Sequence, residues 1–237
     1  MPTGIRKVAF PEECRSIEVE EWPRYTHVHE VQALCWLARE VPGDILEMGC
    51  NDGRTTRELA MNFPDRRILA VDFAAKRDTL CPEQKGEKPP PKHIARYARG
   101  FPNVEIYNRN SQRLDLTRKP FSNARLLFID GDHSYEGVKA DTKIALAHLK
   151  RHRAGMIVWH DFQDDAPEWM KVYEYVTREI APHYYVEWID TTRLAVLRWP
   201  AVRSASSRRR LLTKGGTRGR ANEGGSLSRN GIRRPKR

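Results

Sequence analysis

Long apolar runs are missing from this chain. No window approaches the roughly 18 consecutive apolar residues of a membrane-spanning helix, and the N-terminus MPTGIRKVAFPEEC has no apolar stretch like that of a secretory signal. This pattern predicts a soluble, intracellular, cytoplasmic protein. Cysteine is scarce: Cys14, Cys35, Cys50 and Cys81 stand far apart without a CxxC pair, which argues against a zinc knuckle or a disulfide framework and predicts free thiols. Acidic residues are nearly absent from one region. Residues 201–237 hold 12 basic residues and one acidic one, so of the 42 Lys plus Arg and 31 Asp plus Glu, 30 of each remain in the first 200 residues. The formal charge of +11 therefore belongs to the tail, and the neutral body excludes a whole-protein nucleic-acid binder. From Arg203 onward Gly, Ser and Arg dominate. Such a stretch cannot bury enough surface to offset its ordering entropy, so a disordered basic tail is expected, with diffuse charge suited to nonspecific polyanion contact.

What is present reads as one principal folded core. Residues 1–25 show no period, and Thr26 to Glu40 places Val28, Val31, Leu34, Cys35 and Ala38 at helical spacing. An N-terminal segment over 1–40 thus precedes a body over 41–200. In the body, Ile45 to Met48, Ile68 to Val71, Val104 to Tyr107, Leu126 to Ile129 and Met156 to Trp159 each fit a buried strand. Helical segments fall between them at Thr55 to Met61, around His93 to Arg99, and at Tyr135 to Leu149. Repeated alternation of strand and helix predicts parallel crossovers in an α/β sheet. A further helix is expected from Asp165 and Pro167 to Pro182, then an antiparallel pair, Tyr184 to Ile189 and Leu194 to Trp199. The Pro-rich segment Cys81 to Lys92 reads as a surface loop.

Chemistry concentrates at two places. In ILEMGCNDGRTTRELA a strand ends near Glu47 and runs through Gly49 and Gly53 into a helix. Glycines at that spacing permit close backbone approach, and a helix N-terminus offers unpaired N–H groups to a ligand. The spacing departs from G-x-G-x-x-G, which disfavours a nicotinamide dinucleotide. Asp72 ends the next strand 19 residues after Gly53, where a carboxylate can accept from ribose hydroxyls. The second place is IDGDHSYEGVKAD, which delivers Asp130, Gly131, Asp132 and His133 to a strand end, followed by GMIVWHDF, which delivers His160 and Asp161. Ligands of open α/β sheets bind beyond the carboxyl ends of the strands, so these groups should converge on one pocket.

Over about Asp44 to Trp199 the sequence resembles the Rossmann-like, class I S-adenosylmethionine-dependent methyltransferases, small-molecule O-methyltransferase-like branch. LEMGCNDG is similar to the family's first motif and AVDF to its second; IDGDHSYEGVKAD with GMIVWHDF makes the likeness more specific. The resemblance implies a doubly wound, mostly parallel seven-stranded sheet with a C-terminal antiparallel hairpin. It implies that Glu47, Gly49 and Gly53 frame the methionine part of S-adenosylmethionine, that Asp72 holds the ribose, and that Asn110 and Ser111 lie near the adenine, with Asp130 also at the cofactor. The implied partner is a small-molecule acceptor with a hydroxyl. A nucleic-acid-directed methyltransferase and a non-catalytic cofactor-binding module are the alternatives.

Two routes could remove the acceptor proton. In one, Asp130 and Asp161, with Asp132 or His160, hold Mg2+ or another divalent cation, which lowers the pKa of a hydroxyl. In the other, His133 or His160 is the general base. Plainer readings stand beside these. Asp132 and Ser134 could cap the following helix, and Asp141 and Glu136 fit its solvated face. His27, His29, His93, His148, His152 and His183 fit the surface, and Trp159, Trp169, Trp188 and Trp199 fit core or rim.

Overall fold

A computed structural model describes residues 3–21, 26–73 and 93–200; the Cys81 to Lys92 loop and the basic tail lie outside the described residues. Eight strands form one sheet: β1 (Ile5–Val8), β2 (Asp44–Met48), β3 (Ile68–Asp72), β4 (Val104–Asn108), β5 (Ala124–Ile129), β6 (Gly155–Trp159), β7 (Val186–Ile189) and β8 (Ala195–Trp199). Their spatial order is β1-β7-β8-β6-β5-β2-β3-β4, and β8 alone runs against its neighbours β6 and β7. The α/β class, the mostly parallel sheet and the closing hairpin are as expected. The count of seven is corrected to eight, because Ile5–Val8 pairs parallel with β7. With two polar residues between two half-buried apolar ones, this edge strand offers no apolar period to read.

Alternation along the central strands divides the core. Leu127, Ile129, Ile157 and Trp159 point to one face, which is covered by α3 (Tyr135–His152) and α4 (Val172–Tyr175). Leu126, Phe128, Met156 and Val158 point to the other, covered by α1 (Val28–Arg39) and α2 (Arg54–Asn62). Helix α1 contributes Val31, Leu34, Cys35, Leu37 and Ala38 to that layer. Cys14, Cys35 and Cys50 are buried free thiols.

Three further expectations change. Around His93 to Arg99 the chain makes turns rather than a helix, because Ala95 and Tyr97 give their amides to Asn51 and Asp52 of the loop after β2. The last helix begins at Val172, since Lys171 donates its amide to the His133 carbonyl and the residues before it stay irregular; it widens into a π-helical turn over Val176–Ile180. Asp141 and His148 are not on the surface. Asp141 is 0% exposed beneath the Gly131 turn, and His148 is 2% exposed with Nε2 2.8 Å from the Ala124 carbonyl. The tryptophans do pack as core and rim: Trp159 is buried and donates to Thr142 Oγ1, and Trp188 stacks edge-on against Phe162.

Candidate active site at the carboxyl edge of the sheet

Register places the chemistry. Met48 pairs with Val71 and with Ile129, and Ile129 pairs with Trp159, so Gly49, Asp72, Asp130 and His160 leave the sheet side by side. In the loop after β2, Gly49 has φ +97° and a Cβ there would lie 2.2 Å from the Asp130 carbonyl oxygen. At Gly53, φ +85°, a Cβ would lie 2.5 Å from Ala95 Cα. Close packing of protein against protein thus accounts for both glycines. Asn51 N donates to Asp72 Oδ2 and Phe73 N to Asp72 Oδ1, both at 2.6 Å, which fixes that carboxylate at the strand end.

Glu47 is 1% exposed and accepts from Thr56 Oγ1 of α2 at 2.5 Å. Burial pushes its carboxyl up to about 8, the Thr56 hydrogen bond opposes this, and the charges of Asp130, Asp72 and Asp52 add to the rise. Asn110 caps a short turn by accepting from Gln112 N, and Ser111 begins that turn. Arg109 N bonds the Asp72 carbonyl and Gln112 Nε2 lies 3.3 Å from Asp132 Oδ2, so this turn bridges the two halves of the site. Ser134 is the N-cap of α3, accepting from Gly137 N, as expected; Asp132 is not a cap but accepts from the amide of Ser134 itself.

The other half is an ion network. His133 Nε2 lies 3.0 Å from Asp161 Oδ2 and 3.5 Å from Asp130 Oδ1, and the His133 side chain keeps 19% exposure beside the Trp169 ring. His160 is 3% exposed, with Nδ1 3.0 Å from Asp130 Oδ1 and Nε2 3.1 Å from Glu30 Oε2. Arg193, in the β7–β8 turn, donates Nη1 to Asp161 Oδ1 at 2.8 Å and Nε to Glu30 Oε1 at 2.9 Å. Burial alone would lower the pKa of both imidazoles, but the neighbouring carboxylates outweigh it: His133 rises to about 9 and His160 well above its ordinary value. Burial likewise opposes ionisation of Asp161 and Glu30, yet the facing cations hold both far below the usual carboxylate range. Asp130, His133 and Asp161 offer one donor atom each within 4.8 Å of one another, a set able to hold a metal ion. Sequence reading missed Glu30 and Arg193, which carry no motif and lie 163 residues apart.

Residues 46–162 match the family model described as a methyltransferase domain. The chain carries a methyltransferase domain. No curated protein sequence matches it. Among solved structures, the methyltransferase is similar to CalS11, a calicheamicin methyltransferase, with 19% identity over 71% of this chain and 77% of that one and a TM-score of 0.53. It is also similar to the S-adenosylhomocysteine-bound methyltransferase PaMTH1 of Podospora anserina, at 14% identity, 74% and 80% coverage and a TM-score of 0.48. At these identities the likeness is one of fold. Among the described residues, no helix of the methyltransferase is long and apolar enough to cross a membrane.

Proposed function

We propose that this methyltransferase moves the methyl group of S-adenosylmethionine to a hydroxyl of a small-molecule acceptor at the Asp130, His133 and Asp161 cluster. The observation that carries the reading is this cluster itself, set at the sheet edge beside the Glu47 to Gly53 loop with one imidazole still partly open. Transfer from a sulfonium is an in-line displacement, so the protein's work is to align the two reactants and to ease loss of the hydroxyl proton. On the cofactor side, the Gly49 to Gly53 loop, Glu47 and Asp72 would surround the donor, with Asn110 and Ser111 beyond Asp72; the Asp72 carboxylate, fixed at the strand end by two amides, would accept from the ribose hydroxyls.

On the acceptor side the donor set fits a divalent cation. The 3.0 and 3.5 Å spacings from His133 Nε2 to the two carboxylate oxygens are of the order of the ~3 Å between adjacent ligands about 2.1 Å from an ion. Arg193 occupies Oδ1 of Asp161, which leaves Oδ2 turned toward His133. Asp130, His133 and Asp161 would hold the cation, and such an ion lowers the pKa of a coordinated hydroxyl. His160 has both ring nitrogens engaged by carboxylates and meets no acceptor; Asp132 is engaged by Ser134 and Gln112. The fold likeness to a calicheamicin methyltransferase is in keeping with a small-molecule acceptor. The basic residues 201–237 add nonspecific polyanion contact: their deletion should abolish salt-sensitive RNA binding and leave cofactor affinity unchanged.

Calorimetric titration of the purified chain with S-adenosylmethionine and S-adenosylhomocysteine, with NAD as comparator, tests the first part. Micromolar binding of the sulfur cofactors and none of NAD is expected; a preference for NAD would overturn the reading. An acceptor screen followed by chelation tests the second. Activity lost on chelation and restored by Mg2+ or Mn2+ is expected, whereas unchanged activity would remove the ion from the mechanism.

A further inference from the structure

Glu30 has no part in the cofactor loop and lies outside the residues that match the methyltransferase model, as does Arg193. It is nevertheless among the most heavily engaged side chains at the site. Its Oε1 accepts from the Arg193 backbone amide and from Arg193 Nε, each at 2.9 Å, while Oε2 lies 3.0 Å from Arg193 Nη2 and 3.1 Å from His160 Nε2. Oε2 also accepts the His27 amide at 2.8 Å, which closes the capping box of α1 and ties the carboxylate to its own helix start. Each partner then reaches a carboxylate of the acceptor side. His160 Nδ1 meets Asp130 Oδ1 at 3.0 Å, and Arg193 Nη1 meets Asp161 Oδ1 at 2.8 Å. One buried carboxylate thus has an arm to each aspartate of the cluster.

A fold needing charge balance alone would be served by one ion pair here. Two arms ending on the two aspartates that face the acceptor do more, because donors in the shell around a site fix the orientation of the groups that act. We propose that Glu30 is a positioning residue of the methyl-transfer site, acting through His160 on Asp130 and through Arg193 on Asp161. Helix α1 is on this account part of the acceptor site's frame, and the β7–β8 turn is its other half. The inference rests on the assignment of Asp130, His133 and Asp161 as the acceptor-side cluster.

The test compares the wild-type chain with Glu30→Gln and Glu30→Asp. Gln turns an amide N–H toward donors that need an acceptor, and Asp keeps the charge on a shorter stem. Mn2+ binding followed by electron paramagnetic resonance should weaken 10- to 100-fold in Glu30→Gln and by less in Glu30→Asp. S-adenosylhomocysteine affinity, read in the same samples, should stay within about threefold, which a general loss of folding would not allow. Unchanged Mn2+ affinity in both folded variants overturns the proposal. Should Glu30→Gln fail to fold, Glu30→Asp decides alone. If the wild-type chain takes up no Mn2+, the cation reading fails by itself, and nitrogen-15 spectra of the imidazoles decide the inference. The His160 ring signals should then move in the variants while those of His148, bonded to the Ala124 carbonyl at the other end of β5, stay in place. Unmoved His160 signals would overturn it.

Discussion

The two halves of the site are built in different ways. The proposed cofactor half, after β2, β3 and β4, is made of backbone: two glycines packed against neighbouring loops, and an Asp72 carboxylate fastened by two amides. The proposed acceptor half, after β5 and β6, is made of side chains, three carboxylates facing an arginine and two imidazoles. The first half rests on close backbone contacts between loops at the strand ends and on one carboxylate, so it gathers few buried charges. The second is assembled from α1, two strand ends and a hairpin turn, and each member depends on partners far away in the chain. The difference predicts that damage to the cofactor half stays in binding, whereas damage to the acceptor half spreads into stability.

The largest effect should come from Asp161→Ala. It leaves His133, His160 and Arg193 short of a buried counter-charge, so methyl transfer should fall at least about 100-fold and unfolding free energy by about 3–5 kcal/mol. Turnover and denaturant titration measure the two, and a stable variant would break the comparison. Next, Asp72→Ala removes one charged acceptor at the cofactor side. S-adenosylhomocysteine affinity should drop about 10- to 100-fold by calorimetry, with a smaller change in stability than Asp161→Ala produces.

Glu47 sharpens the comparison through pH. Its folded-state pKa of about 8 lies above the ordinary 4.5, so below pH 4.5 the carboxyl is protonated in both states and has no effect. Between those values the unfolded chain ionises while the folded chain keeps the proton, and stability falls as pH rises, by up to about 1.4 kcal/mol per unit. Glu47→Gln should flatten that slope in denaturant titrations from pH 5 to 8; an unchanged slope would show that Glu47 is ionised in the fold. The smallest effect is Ser134→Ala, which removes the cap of α3 and should cost about 1 kcal/mol in the same assay.

The legible part of the molecule is the part whose signals are short. ILEM, ILAV, LLFI and GMIVW read as buried parallel strands because both their faces are covered, and the family likeness of IDGDHSYEGVKAD rests on one contiguous stretch. The chain around His93 to Arg99 carries a local helical pattern that tertiary hydrogen bonds to Asn51 and Asp52 override. His148 reads as a surface histidine because nothing nearby in sequence shows the Ala124 carbonyl that receives it. Asp141 shares the buried face of α3 with Val138, Thr142 and Ala145, but its carboxylate reads as a solvated group because nothing nearby in sequence shows the Gly131 turn that closes over it.

Sequence alone determined the α/β order, the neutral body with its basic end, and the two motifs that meet at one sheet edge, since apolar period, charge and glycine spacing are properties of neighbours along the chain. Tertiary structure decided the eighth strand and the burial of His160. It also brought Glu30 to His160 and Arg193 to Asp161, because a buried charge is held by the partners that folding delivers to it, and those partners can come from anywhere in the sequence.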